Sequence, residues 1–139
     1  MNEYTIDDIY IGKEASYSVT ITADMMDSFR RITADENPLH TNESFAKDVG
    51  YKDKVCYGLL TSSFFSTLAG VYLPGRYSLI RSIEIKYAKP VYVGDMLEIS
   101  GVVTAVNKDY GFFDMKLAVH NEAGEKVIRG KMQVGFTNK

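Results

Sequence analysis

The chain has 139 residues, of which 45% are hydrophobic and 24% charged, and its formal net charge is -2. This balance is typical of a globular protein with one core, so we expect a single domain over residues 1–139. A nearly neutral chain lacks the basic surface that binds phosphate backbones, which argues against a nucleic-acid partner. No stretch approaches the roughly 20 apolar residues that span a bilayer, and the first ten residues do not have the pattern of a targeting segment. We therefore expect a cytoplasmic protein with no membrane partner.

Cysteine and histidine are scarce in this sequence. One cysteine, Cys56, cannot form an internal disulfide, and metal centres usually draw on several Cys and His ligands. We expect no metal site. Any imidazole chemistry must come from His40 or His120.

The first half of the chain predicts one strand followed by helices. Residues 15–22 alternate polar or small with apolar residues, which predicts a half-buried strand. Thr22 is a suitable N-cap for a helix over residues 23–33, in which apolar residues recur at helical spacing. A polar loop over residues 34–41 follows, because Pro38 restricts the residue before it. Residues 43–49 predict a further short helix that ends at Gly50.

The second half predicts a buried helix and then a series of strands. Residues 58–71 are apolar almost all round, which is typical of a helix buried on every side. Strands are predicted over residues 77–87, 96–106, 112–120 and 126–136, with a bulge or bend near Gly101. A long buried helix with an antiparallel meander predicts an α+β fold in which a curved sheet wraps around the helix. Uncovered sheet edges in so thin a domain favour a homodimer.

The loop between the first two helices carries a carboxylate and an imidazole. Asp35 and His40 lie five residues apart on either side of a proline, so both can face one cavity and hold a water molecule. The alternative is that Asp35 only shapes the loop and that His40 is a surface residue.

Three further residues are candidates from the sequence. Gly58 opens the buried helix, where its free N–H is a candidate donor to an oxyanion, although glycine there is often only a packing residue. A hydroxyl such as that of Ser66 usually bonds back to its own helix. Cys56 paired with His40 is an alternative nucleophile, but a lone cysteine is more often a small buried hydrophobic residue. Serine hydrolysis is disfavoured because no nucleophile motif surrounds any serine.

Taken together, three segments resemble the MaoC-like, (R)-specific enoyl-CoA hydratase family. They are the Asp-x-Asn-Pro-Leu-His loop over residues 35–40, the Tyr-Gly-Leu-Leu sequence at 57–60 leading to Ser66, and the Pro-Val-Tyr-Val-Gly-Asp sequence at 90–95. The resemblance implies a hot-dog fold and a homodimer or dimer of dimers. It also implies reversible addition of water to a trans-2-enoyl-CoA, which gives an (R)-3-hydroxyacyl-CoA.

The resemblance also implies roles for individual residues. Asp35 and His40 would hold the water and move its proton, in an order that the sequence leaves open, and Gly58 would polarise the thioester oxygen. Asn37 and Ser66 would support them. No separate cofactor is expected, since coenzyme A is part of the substrate.

Two residues near the site bear on substrate choice. Tyr57 stands where the family usually has histidine, and is expected to reshape the substrate tunnel. Ala69, about one helical turn beyond Ser66, would leave room for a longer acyl chain. Another departure is Thr41-Asn42, where the family often has an aspartate after the histidine.

The same fold also hosts other functions, so the fold alone does not choose among them. The alternatives are an acyl-CoA thioesterase, an acyl-carrier-protein dehydratase and a non-catalytic acyl-CoA-binding module. The loop over residues 35–40 favours hydration over these.

Overall fold

Five antiparallel strands form one sheet in the computed structural model, which describes residues 1–137. The sheet order is β1-β3-β4-β5-β2. The strands are β1 (Glu14–Thr20), β2 (Ser78–Tyr87), β3 (Met96–Asn107), β4 (Phe112–His120) and β5 (Lys126–Phe136). The last two residues of the expected domain, 138 and 139, lie outside the described residues.

Four α-helices precede β2. They are α1 (Ala23–Thr33), α2 (Pro38–Thr41), α3 (Glu43–Asp48) and α4 (Gly58–Thr67). A π-helical turn, Leu68–Tyr72, continues α4, and a short 3-10 helix, Ile6–Asp8, precedes β1. The fold is thus the predicted α+β hot-dog arrangement, with a curved sheet around a central helix.

The core lies between the sheet and α4. Strands β3 and β4 alternate buried and exposed residues, so one face of each strand points inward. Leu97, Ile99, Met115 and Leu117 on that face are almost completely buried, as is Phe65 on α4. Burial of this apolar surface, at about 25 cal/mol per Å², is the main force that holds the helix in the sheet.

The predicted helix over residues 23–33 is confirmed as α1, and its start is capped as expected. The Thr22 hydroxyl accepts a hydrogen bond from the Met25 backbone N–H at 3.1 Å. That bond satisfies one of the four N–H groups that a helix leaves free at its first turn.

One sequence-based prediction needs correction, and another needs a more exact position. The loop over residues 34–41 is helical in its second half, because Pro38 occupies the first turn of α2, where proline is tolerated. The irregularity predicted near Gly101 is present two residues further along β3, between Val103 and Ala105, while Gly101 itself pairs regularly with both neighbouring strands. Position 101 has no room for a side chain, because an added Cβ would lie 2.9 Å from Cδ2 of Leu68.

Helix α4 is also less buried than its composition predicts. Leu59 is 70% exposed, and Ser63, Ser66 and Thr67 are exposed as well. The sheet covers only one side of the helix within a single chain, so the opposite side faces outward.

The segment between β2 and β3 forms a tight turn beside α4. The Asp95 carboxylate accepts a hydrogen bond from the Tyr92 N–H at 3.0 Å, and Gly94 has a φ of 96°. The Val91 carbonyl accepts a hydrogen bond from the Cys56 N–H at 2.8 Å. The turn therefore fixes the segment that leads into Gly58.

Within residues 1–137, none of the helices combines the length and the apolar character that crossing a bilayer requires.

Candidate active site

The segment that carries Asp35 begins with a sharp reversal after α1. Ala34 has a φ of 57°, in the left-handed region, and its N–H bonds to the Arg30 carbonyl at 2.8 Å. An ion pair between Arg30 and Glu36 closes the loop from its outer side. The reversal brings residues 35–40 back over the end of α1.

Asp35 and Asn37 shape this loop through their side chains. The Asp35 carboxylate accepts a hydrogen bond from the Asn37 N–H at 3.1 Å, and the Asn37 side chain accepts one from the Leu39 N–H at 2.9 Å. Asn37 is therefore the N-cap of α2. Both side chains are exposed in the single chain.

His40 lies on α2, and a backbone carbonyl fixes its ring. The His40 Nδ1 lies 2.7 Å from the Val55 carbonyl oxygen. Since a carbonyl can only accept, Nδ1 must carry a proton, and in the neutral imidazole Nε2 has the free lone pair. The imidazole is thus in the tautomer that allows Nε2 to accept a proton.

Tyr57 connects His40 to Asp35. Its hydroxyl donates to the Asp35 carbonyl oxygen at 2.6 Å, and its ring lies 4.3 Å from the His40 ring, centroid to centroid. Phe29 contacts the Tyr57 ring at 4.8 Å. Burial raises the pKa of the Tyr57 hydroxyl, and the nearby Asp35 carboxylate raises it further, so the hydroxyl stays protonated and donates.

Gly58 and His40 share the wall of one cavity. Its volume is about 290 Å³, and its walls include His40, Tyr51, Cys56, Gly58, Tyr87 and Lys89. Gly58 is the first residue of α4, so its N–H has no acceptor within the helix and lies at the positive end of the helix dipole. One cavity is therefore lined both by the histidine and by the glycine that begins α4.

Sequence reasoning missed the pair that borders Gly58. The Tyr87 and Ser62 hydroxyls lie 2.9 Å apart, and a Cβ added at Gly58 would lie 2.8 Å from Cε1 of Tyr87. The glycine therefore leaves the space in which this ring lies against the start of α4. A tyrosine at the end of β2 gives no local signal of such a contact, because Tyr87 is 29 positions from Gly58 along the chain.

A second cavity, of about 240 Å³, lies on another side of His40. Its walls include Met26, Asp27, Arg30, His40, Lys54 and Tyr57. Other, larger concavities lie over the outer face of the sheet and include neither His40 nor Gly58. His40 is thus the residue common to the two cavities beside α2.

The other predicted site residues are placed apart from this cavity. Ser66 is exposed on α4, whereas Ala69 is completely buried in the π-helical turn. Neither residue lines the cavity shared by His40 and Gly58, and neither does the Asp35 carboxylate. The structure brings together His40, Tyr57 and Gly58, and joins Asp35 to them through its backbone.

The alternative nucleophile and the second histidine fit a catalytic role poorly. Burial raises the pKa of the Cys56 thiol to about 12, so the reactive thiolate is disfavoured. His120 ends β4 and lines neither cavity beside α2. Across the described part of the chain, no group of three or more His, Cys, Asp and Glu side chains is arranged to hold a metal ion.

Comparison with known proteins decides the family. The model of the MaoC like domain matches residues 11–127. The chain belongs to the MaoC-like family. The matched range includes the segments at residues 35–40, 57–66 and 90–95 on which the resemblance was inferred.

The similar proteins include enzymes named as hydratases and as dehydratases. An (R)-specific enoyl-CoA hydratase of Rhodospirillum rubrum is 30% identical over 128 residues, which cover 92% of this chain and 88% of that protein. An enzyme of the same description from Aeromonas caviae is 28% identical over 124 residues, 89% of this chain and 92% of its own. The solved structure of an (R)-hydratase from A. caviae, described as involved in PHA biosynthesis, superimposes with a TM-score of 0.88 at 27% identity, covering 93% of this chain and 98% of that one. The MaoC-like chain is accordingly an enzyme of the hydratase and dehydratase class.

Proposed function

We propose that this MaoC-like enzyme is an (R)-specific enoyl-CoA hydratase, which adds water reversibly to a trans-2-enoyl-CoA and forms an (R)-3-hydroxyacyl-CoA. The observation that carries the proposal is the cavity lined by both His40 and Gly58, since the histidine has its Nδ1 bound to the Val55 carbonyl and the glycine is the first residue of α4. The similarity to (R)-specific hydratases supports the substrate class and the stereochemistry.

In the proposed reaction the water oxygen bonds to C3 of the enoyl group while the C2=C3 double bond opens. One of Asp35 and His40 takes a proton from the water, and a proton from the pair is delivered to C2, so the enzyme returns to its starting state. Asp35 lies on the same short segment as His40, and its carboxylate must turn toward the water when substrate covers the site. Contacts of this kind often tighten only in the substrate complex.

Gly58 has an electrostatic role in this proposal. Attack at C3 moves negative charge onto the thioester oxygen, and a preorganised N–H donor at that oxygen contributes about 3 to 4 kcal/mol to lowering the barrier. The dipole of α4 adds to the effect, because its positive end points to the same place.

We further infer that the active form is a homodimer. Strand β2 is an edge strand, and its exposed residues include Leu79, Ile80, Ile83 and Tyr87, which are 36% to 52% exposed. An apolar, unpaired strand edge favours pairing with another chain. A second copy would cover this edge and the exposed side of α4 next to it.

The test is the loss of enoyl-thioester absorbance with crotonyl-CoA and a longer trans-2-enoyl-CoA. Asp35→Asn and His40→Ala are each expected to lower kcat by at least about a hundredfold, which is the low end of what an acid or base contributes. Asp109→Asn and His120→Ala are matched controls that replace the same residue types outside the site, and both should keep wild-type kcat.

Other substrates separate the alternatives. Release of free coenzyme A from a saturated acyl-CoA, without hydration, would make the enzyme a thioesterase and overturn the proposal. Turnover of enoyl groups on acyl-carrier protein but not on coenzyme A would overturn the choice of carrier.

A further inference from the structure

Tyr57 contacts both members of the acid/base pair. It is only 2% exposed, its hydroxyl donates to the Asp35 carbonyl oxygen at 2.6 Å, and its ring packs on the His40 imidazole at 4.3 Å with an interplanar angle of 33°. The two contacts use different parts of the side chain. A substitution can therefore remove one of them and keep the other.

Tyr57 is also the residue from which α4 starts. It is the N-cap, with φ -57° and ψ 122°, and its carbonyl accepts a hydrogen bond from the Thr61 N–H at 3.1 Å. The peptide that joins Tyr57 to Gly58 carries the Gly58 N–H. The orientation of that donor is therefore set by the same residue that holds Asp35 and His40.

The His40 ring has two restraints, one at its edge and one on its face. The edge restraint is the hydrogen bond from Nδ1 to the Val55 carbonyl. By itself, this hydrogen bond would still allow the imidazole ring to swing about the Nδ1–O direction. The Tyr57 ring covers one face and blocks this motion. Displacement of a catalytic group by about 1 Å can cost a hundredfold in rate, so a second restraint has a large effect.

We propose that Tyr57 is a positioning residue that holds the acid/base loop and the His40 imidazole in a fixed relation to the Gly58 donor. Its hydroxyl fixes the backbone at Asp35, and its ring fixes the plane of His40. This inference rests on the proposed hydratase function for its kinetic consequences, while its structural consequence can be measured without turnover.

The kinetic test compares two Tyr→Phe variants. Tyr57→Phe removes the hydrogen bond to Asp35 and keeps the ring. Tyr17→Phe is the matched control, because the Tyr17 hydroxyl also donates to a backbone carbonyl at 2.6 Å, that of Phe64, in a partly buried position away from the loop. We expect Tyr57→Phe to lower kcat about tenfold, as a partial misplacement would, with KM within about twofold of wild type. Tyr17→Phe should keep wild-type kcat.

The structural test is NMR of the imidazoles, which the two-histidine composition makes simple to assign with His120→Ala. The Tyr57 ring current shifts the His40 ring protons, so Tyr57→Phe should keep their position and Tyr57→Leu should move it to that of an unstacked histidine. Absence of hydration by the wild type would overturn the proposed function and leave this NMR test valid. An unchanged His40 signal in Tyr57→Leu, or equal kcat in the two Tyr→Phe variants, would overturn the positioning role.

Discussion

Alanine at position 58 should destabilise the protein through one neighbour, Tyr87. The added Cβ would lie 2.8, 3.1 and 3.2 Å from three carbons of the Tyr87 ring, whose hydroxyl lies 2.9 Å from the Ser62 hydroxyl. Overpacking of a well-packed core costs about 1 to 3 kcal/mol, and because the Tyr87 ring is 49% exposed and can move outward, we expect a cost near the lower end, about 1 kcal/mol. Alanine is favoured over glycine in a helix by up to about 1 kcal/mol, so the net loss in the free energy of unfolding is about 0 to 1 kcal/mol.

A double-mutant cycle measures the contact directly. When Tyr87→Ala removes the ring, Gly58→Ala should become neutral or stabilising, because only the helix preference remains. We expect an interaction energy of about 1 kcal/mol between the two positions, measured by denaturant unfolding of wild type, both single variants and the double variant. An interaction energy below about 0.5 kcal/mol would refute the reasoning, since it would mean that the ring turns into solvent without cost.

The remaining predictions concern the Cys56 thiol and the edge strand β2. Burial raises the pKa of the Cys56 thiol from 9.0 to about 12. At pH 8 the thiol should therefore react with a thiol reagent about a thousandfold more slowly in the folded protein than in denaturant. Equal rates would show that the thiol is not buried. Because the unfolded thiol loses its proton first, this group should also lower stability as pH rises from about 9 to 12, a loss that Cys56→Ala should lack. Ile83→Lys, on the exposed edge strand β2, should shift the protein from dimer to monomer in sedimentation. Ile32→Lys, which changes the same residue type at an exposed position on α1, should not. A dimer that survives Ile83→Lys would refute pairing at that edge.

The regular elements followed well from local sequence. Residues 23–33 form α1 as predicted, because a capping threonine and helical spacing of apolar residues act within a few positions. The strands β3, β4 and β5 appear within one residue of their predicted bounds, since alternation and turn residues mark them. The hot-dog arrangement came from the resemblance to the family rather than from these patterns alone.

What the sequence missed depends on contacts between distant residues. The space that Gly101 leaves for Leu68, and the exposed side of α4, are set by how the sheet wraps around the helix. The contacts of Tyr57 with Asp35 and of Tyr87 with Ser62 join residues 22 and 25 positions apart, and no local pattern marks them. Asp35, His40 and Gly58 could be named from the family motifs, but their roles stay predictions until the variants are measured.

The partner that orients His40 is a main-chain oxygen, that of Val55. Side-chain substitution at position 55 leaves this oxygen in place, so a scan that replaces each residue in turn could find the stacked ring of Tyr57 but not the group that sets the tautomer of the imidazole. Relatives that keep the same backbone path are free to vary residue 55 without changing the tautomer of the histidine. The interaction that sets the tautomer of His40 is therefore invisible to both mutational scanning and sequence comparison.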